Sequence, residues 1–312
     1  MIRFYRLISV FLIFLLCAGC VSTDDTVSLP TNEDSTLPVQ AQPSVTVQRV
    51  FYGEAGGDTL TGLCALPPMQ YTVSDPNNTA KLSETPVEHY FGKAENGEVH
   101  RYSREFQESF ESKNLDAVVY DTRTDKKRIY LTFDCGYENG NTAKILDVLK
   151  EKNVPAAFFC TLHEVKSEPE LIARMINEGH IVGNHSVSHA DFTAISRNRM
   201  AEEIVDYDTF LRQNFGYSSM FFRFPEGKYN ENAVNLINSL GFSCVFWSAA
   251  YSDWNTDAQK GADYAFEQVT KQLHPGMILL LHSVSADNAE AMGDIIDYAR
   301  QQGYEFCSLE EL

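Results

Sequence analysis

A chain of 312 residues is long enough for one large domain, or for one domain with an appendage. With 44% hydrophobic and 12% aromatic residues it can bury a sizeable core. Its formal net charge of -18 argues against nucleic acid as a partner, because phosphate binding needs a basic surface, and it gives no help on any other anionic surface; neutral glycan is easier to reconcile with it.

The N-terminus reads as an export signal. Arg3 and Arg6 give a basic start, and Leu7 to Leu16 is almost continuously apolar. Spanning a bilayer takes about 20 apolar residues, so this run is short for a membrane helix and suits a secretory leader. It ends Leu16-Cys17-Ala18-Gly19-Cys20, two small residues before a cysteine, which resembles a bacterial lipobox. That resemblance implies cleavage before Cys20, lipidation of Cys20 and an extracytoplasmic protein anchored to the membrane; a plain secreted protein is the alternative. Residues 21–45 are rich in Ser, Thr, Asp, Pro and Gln and contain no aromatic residue. Such a segment buries too little apolar surface to offset its ordering entropy and reads as a flexible linker. Residues 46–124 are mixed and rich in Gly and Pro. They form an N-terminal extension of unassigned function, either a small module or a segment packed on the next domain.

From residue 125 onward the pattern becomes regular. Strand-like apolar runs occur at Ile129–Phe133, Ala156–Cys160, Ile181–Val182, Met220–Phe224, Cys244–Trp247, Met277–Leu281 and Tyr304–Cys307. Between them, apolar residues recur at helical spacing, as in Ile145, Leu146, Val148 and Leu149, or Leu171, Ile172, Met175 and Ile176. Gly179, Gly241 and Gly303 each follow a helical pattern and precede a strand, which suits a left-handed C-cap. Strand and helix alternate about seven times, which calls for a parallel sheet, either a closed barrel or an open doubly wound sheet. The five cysteines outside the leader are widely spaced and do not form a disulfide framework.

Polar residues gather at the strand ends. Asp134 ends the first run, His185 follows the third, Arg223 lies at the end of the fourth, Asp253 follows the fifth and His282 ends the sixth. In an α/β barrel these ends share one mouth, where the chemistry collects. His185 and His189 are four residues apart, just after a strand. Two imidazoles with a carboxylate or thiolate make an ordinary catalytic zinc shell with one position left for water.

Five blocks then resemble a known family: Thr132-Phe133-Asp134-Cys135-Gly136, His185-Ser186-Val187-Ser188-His189, Arg223-Phe224-Pro225-Glu226-Gly227, Ser252-Asp253-Trp254 and Leu279-Leu280-Leu281-His282. In order and spacing they are similar to the motifs of the polysaccharide deacetylases, the NodB-homology group of carbohydrate esterase family 4, over residues 125–312. The extended block through Tyr137-Glu138-Asn139-Gly140 resembles the branch that deacetylates muramic acid and leads to muramic δ-lactam in spore cortex. The resemblance implies a distorted (β/α) barrel of about seven parallel strands. It also implies a hydrolase acting on the acetamide of an amino sugar, with peptidoglycan strands as partner. Asp134 would be the general base, His282 the general acid, Asp253 the group that orients His282, and Arg223 the cation that keeps Asp134 ionised. His185 and His189 would hold one divalent metal, zinc first, with cobalt or manganese as alternatives. Where the family commonly has a second aspartate this chain has Cys135, which either supplies a thiolate or turns away. Trp254 and Tyr137 are candidate substrate contacts.

Bland readings stand beside these. Arg223 alone is a structural ion-pair partner, Asp253 a turn residue, Trp254 a core aromatic and Tyr137 a surface residue. His89, His100, His163, His180 and His274 are read as structural. Two further functions stay open: a deacetylase of N-acetylglucosamine or another glycan, and a catalytically silent wall-glycan-binding protein.

Overall fold

The structure, a computed structural model, describes residues 48–94 and 96–312. The leader, Cys20 and the linker lie outside the described residues, which fall in one compact unit, Val47–Leu312. The first elements are β1 (Val50–Tyr52), β2 (Val87–Glu88), α1 (Arg101–Ser112) and β3 (Ala117–Val118). The alternating pattern then follows: β4 (Arg128–Cys135), α2 (Thr142–Lys152), β5 (Ala156–Cys160), α3 (Leu162–Ser167), α4 (Pro169–Asn177) and β6 (Ile181–Asn184). The long helix α5 (Arg197–Phe215) leads into three short strands, β7 (Tyr217–Ser219), β8 (Phe221–Phe222) and β9 (Lys228–Tyr229). The chain ends with α6 (Glu231–Ser239), β10 (Ser243–Val245), α7 (Ala262–Thr270), β11 (Met277–His282), α8 (Ala286–Gln301) and β12 (Glu305–Phe306).

One parallel sheet carries the fold, in the order β11-β4-β5-β6-β8-β10-β3, with β12 also beside β4. It curls into a half-barrel. Its far side is drawn back to β11 by a parallel bridge between Ala249 and Leu279, with Leu280 N–H donating to the Ala249 carbonyl at 2.9 Å. This is the seven-stranded distorted (β/α) barrel expected from the sequence. One member differs, however. Tyr304–Cys307 yields only the two-residue β12, paired with the first two residues of β4. The seventh place on the sheet goes to β3, which comes from the segment set apart as an extension.

Strands β4 and β5 are apolar nearly throughout because helices cover the outside while side chains fill the inside; every residue of β5 is buried. Phe133 and Phe158 stack there at 4.9 Å between ring centroids. The three predicted caps form as Schellman motifs. After α4, Gly179 has φ 82°, its N–H donates to the Ile176 carbonyl, and His180 N–H donates to Met175. Gly241 and Gly303 repeat that arrangement after α6 and α8, with φ of 91° and 84°. Each cap turns the chain sharply from the helix into the next strand.

The extension packs on the barrel. β1 pairs antiparallel with β7, and β2 pairs antiparallel with β9. Just after β2, His89 is buried against Trp247, its Nε2–H donating to the Trp247 carbonyl at 2.7 Å. Among the described residues no helix is long and apolar enough to cross a membrane.

Candidate active site

Asp134 and His282 are register partners on the adjacent strands β4 and β11, so both side chains leave the sheet on one face at its C-terminal edge. Arg223 follows β8 and is fully buried. Its guanidinium donates to Asp134 Oδ1 at 2.8 Å, to Thr132 Oγ1 at 3.0 Å, and to the carbonyls of Val245 and Phe246 at 3.0 and 3.2 Å. It also lies 4.3 Å from the Phe159 ring centroid. Thr132 and Asp134 are two residues apart on β4, which is why one cation reaches both. Burial disfavours charge on Asp134, but Arg223 first, then His185 and His282, outweigh it and hold its pKa below the usual carboxylate value.

On the other side of the mouth, Asp253 fixes His282 twice. The ring Nδ1 lies 2.7 Å from Asp253 Oδ1, and the His282 backbone N–H donates to Oδ2, also at 2.7 Å. Asn288 Nδ2 donates to that same Oδ2 at 2.6 Å, while Tyr251 OH donates to Asn288 Oδ1 at 2.6 Å. With Nδ1–H donated to a carboxylate, Nε2 is left for exchange with a substrate. Burial opposes the imidazolium, yet Asp253 and then Asp134 outweigh burial and the Arg223 charge, so the His282 pKa is raised. Two neighbouring groups are thus tuned in opposite directions, Asp134 toward its ionised form and His282 toward its protonated form.

His185 and His189 sit on the loop after β6, and the loop is tightly held. Ser186 and His189 both occupy the left-handed region, with φ of 70° and 54°, strain of about 1–3 kcal/mol per residue that surrounding bonds must hold in place. Asn184 Oδ1 accepts from Ser186 N–H, Ser186 Oγ accepts from His189 N–H, and the buried Glu203 accepts from both Ser188 N–H and Ser188 Oγ at 2.8 Å. The two imidazole centroids end up 5.1 Å apart. His185 Nδ1–H donates to the Arg223 carbonyl at 2.9 Å, and burial pushes its pKa down to about 4 despite Asp134. Its Nε2 therefore carries a lone pair, and it faces Asp134 Oδ2 at 3.8 Å, beyond hydrogen-bond range. Two electron-pair donors facing each other with no proton between them, beside a second imidazole, suit a divalent cation.

Cys135 does not join them. It is the next residue on β4 after Asp134, so it points to the opposite face. There it is fully buried, and its sulfur accepts from Ser283 Oγ at 3.3 Å. The open reading that the thiol turns away is the one the geometry favours. Among the described residues no three His, Cys, Asp or Glu side chains come together as a complete metal cage.

A cavity of about 740 Å³ collects Asp134, His185, His189 and His282, with Gly136, Tyr137, Trp247, Tyr251, Ser252, Trp254, Leu280 and Val284 around them. Trp254 and Tyr137 stand at the rim, 60% and 48% exposed, as residues able to stack on sugar faces would. The core reading of Trp254 is thereby excluded. Sequence reasoning missed Phe91 and Glu226, which also line the cavity. Phe91 comes from the extension, where no periodicity marks it. Glu226 lies inside the block Arg223-Phe224-Pro225-Glu226-Gly227, which gives it no role of its own, yet it holds φ 57°, a conformation unusual for a residue with a side chain.

Residues 121–245 match a family model described as polysaccharide deacetylase. The chain is 45% identical over 207 residues to the peptidoglycan-N-acetylmuramic acid deacetylase PdaA of Bacillus subtilis, covering 64% of this chain and 79% of that one. The solved structure of Bacillus subtilis PdaA, a family 4 carbohydrate esterase, superposes with a TM-score of 0.71 at 40% identity, covering 74% of this chain and 98% of the other. A peptidoglycan-N-acetylglucosamine deacetylase of Bacillus cereus is 31% identical over 200 residues, covering 63% of this chain and 72% of the relative.

Proposed function

The chain belongs to the polysaccharide deacetylase family, carbohydrate esterase family 4, hydrolases of amide bonds, and on that premise we propose that it removes the N-acetyl group from muramic acid in peptidoglycan. The observation that carries this reading is the pairing of Asp134 and His282 side by side over one cavity, the first held by the Arg223 guanidinium and tuned toward its ionised form, the second held by Asp253 and tuned toward its protonated form.

Amide hydrolysis needs both. A water must lose a proton as it attacks the acetyl carbonyl, and Asp134 accepts it. The leaving nitrogen must gain one, because an unprotonated amine anion does not depart, and His282 supplies it from Nε2. Asp253 keeps the ring oriented and stabilises its imidazolium form. Arg223 keeps Asp134 from holding a proton at neutral pH. A divalent metal at His185 and His189, zinc first with cobalt or manganese as alternatives, would supply Lewis acidity toward the carbonyl and acidify water there. Leu280, Val284 and Trp247 give the cavity an apolar wall suited to the acetyl methyl, while Trp254 and Tyr137 offer ring faces to the sugars.

The freed amine would lie beside the lactyl carboxyl, and where the stem peptide has been removed the two can close to a six-membered lactam through high effective concentration. We place the enzyme outside the cytoplasmic membrane, lipid-anchored through Cys20, with residues 125–312 carrying the proposed proton-transfer and metal-binding side chains of the catalytic domain and β3 and Phe91 completing its sheet and cavity.

A second reading, N-acetylglucosamine deacetylation, has one observation in its favour. No Lys or Arg is among the described residues lining the cavity, so a lactyl carboxylate would meet no permanently cationic side chain there. Mass spectrometry of defined glycan strands after incubation decides between them. Loss of acetyl from muramic acid is expected, with a further loss of water where lactam forms. Loss confined to glucosamine would transfer the assignment. An unchanged mass with zinc, cobalt or manganese present, from protein shown to be folded, would leave a glycan-binding protein.

A further inference from the structure

Helix α5 carries a charge on the face it buries. Met200, Ala201, Ile204, Tyr207 and Leu211 pack inward, as an amphipathic helix requires, and Glu203 lies among them completely buried. A glutamate is almost never buried to that degree unless it is paired. Here both oxygens are used. Oε2 accepts from Ser188 N–H at 2.8 Å, and Oε1 accepts from Ser188 Oγ, also at 2.8 Å. Oε1 also accepts from the half-exposed Arg199, one turn earlier on the helix. Fold stability does not call for such a pair, since an apolar side chain of similar volume often serves as well or better. What Glu203 holds is the loop after β6.

Two more bonds run between α5 and that loop. Asn184 Nδ2 donates to the Ile204 carbonyl at 3.0 Å while its Oδ1 accepts from Ser186 N–H at 2.9 Å, and Tyr207 OH donates to the Gly183 carbonyl at 2.9 Å. The loop needs this support because Ser186 and His189 both hold left-handed φ, which persists only where the surroundings over-determine it. The two imidazoles are not held alike. The His185 ring is fixed by its own bond to the Arg223 carbonyl. Among the described residues no hydrogen bond holds the His189 ring, so its place follows from its backbone. That backbone is set by Ser186 Oγ, which accepts from His189 N–H at 2.9 Å, and by Ser188, the residue before it. Among the described residues Glu203 is the only side chain bonded to Ser188.

We propose that Glu203 is the positioning residue for His189. Through Ser188 it sets the backbone from which the His189 imidazole meets His185, and so sets how tightly the pair holds a divalent cation. The proposal rests on the reading of His185 and His189 as metal ligands.

The test is titration of the chelator-treated full chain, in mild detergent, with zinc chloride in competition with a coloured chelator. Thermal melts of the metal-free chain are recorded beside it. The wild type should take up one zinc ion, and His189→Ala should lose it. Glu203→Leu should leave the metal-free melting temperature close to that of the wild type and weaken zinc binding about 10–100-fold, the usual cost of removing a group that orients a ligand. Glu203→Gln keeps an acceptor oxygen for Ser188 and should recover part of that affinity. Ser188→Ala, at an exposed position, should weaken zinc binding a few-fold in the wild type and no further in Glu203→Leu, because the two act through one contact. It also keeps the test decisive if Glu203→Leu misfolds. Zinc held as tightly as by the wild type in Ser188→Ala and in every folded Glu203 variant would overturn the assignment. A wild-type chain that binds no zinc, or binds it undiminished in His185→Ala and His189→Ala, would instead remove the metal reading, and the role of Glu203 with it.

Discussion

At the level of single residues, the opposed tuning of Asp134 and His282 makes a pH profile the most direct readout of mechanism. Activity requires Asp134 deprotonated and His282 protonated. The first is depressed below the ordinary carboxylate value and the second is raised above the ordinary imidazole value. The acid limb of kcat/KM should therefore fall at lower pH than a free aspartate gives, and the alkaline limb at higher pH than a free histidine gives. Asp253→Asn removes the charge that raises His282 and should move the alkaline limb to lower pH, so that activity drops more at pH 8 than at pH 6. An unmoved alkaline limb would separate His282 from the titration. Asp134→Asn should cost about 10²–10⁴-fold in kcat, the usual worth of a positioned base, with acetate release as the assay and circular dichroism confirming the fold. The strand-end residues Asp134, Arg223, Asp253 and His282 were legible in the sequence because a parallel sheet must bring its C-terminal ends together. Asn288, which holds Asp253, was not assigned a role, since a residue on the first turn of a helix gives no sign of which distant carboxylate it meets. Cys135 shows the opposite limit: it stands where the resembled family commonly has an aspartate, which left a thiolate ligand and a turned-away thiol both open, and only the structure shows its sulfur buried and accepting from Ser283 Oγ.

Among the elements, strand and helix positions from β4 to β11 follow from apolar runs and glycine caps, and so does the barrel. The extension did not yield to the same reasoning because its strands are two or three residues long, below the length at which alternation can be recognised. Buried apolar side chains such as Val50, Phe110 and Val119 and a set of backbone bonds hold it, and Gly216 is the clearest of the backbone points. It ends α5 with φ 58°, accepts from Gly53 N–H at 2.7 Å, and leaves so little room that a Cβ there would meet the Cys64 carbonyl oxygen at 2.4 Å. Gly216→Ala is therefore opposed twice, by the left-handed backbone and by the docked extension. It should destabilise the chain by about 1–3 kcal/mol, the range for strain at a special backbone conformation, measured by urea unfolding. A change below about 0.5 kcal/mol, ordinary for a surface site, would mean that the extension is not held there. Phe91 tests the same packing from the functional side. Phe91→Ala should raise KM for glycan strands and leave kcat within a few-fold, because the side chain lines the cavity wall and is not one of the proton-transfer groups. Equal losses in both constants would instead tie the extension to the chemical step.

For the whole molecule, net charge bears on how the proposed localisation would be reached. A chain of net charge -18 is not drawn to anionic wall polymers or lipid headgroups, so on the proposed reading residence near the membrane would rest on a covalent anchor. Cys20 is the residue the sequence offers for it. A single acyl chain holds weakly, whereas the diacylglycerol of a lipobox cysteine gives the two chains that stable anchoring needs. Metabolic labelling with a fatty acid should therefore mark the wild-type chain and sediment it with membranes, and Cys20→Ala should abolish the label. If the leader is still cut at another position, the variant appears in the medium with its acetate release on soluble glycan strands unchanged. If it is not cut, the variant stays with membranes but unlabelled and heavier by the leader. Labelling that survives Cys20→Ala would move the anchor elsewhere, with Cys17 the next residue to replace.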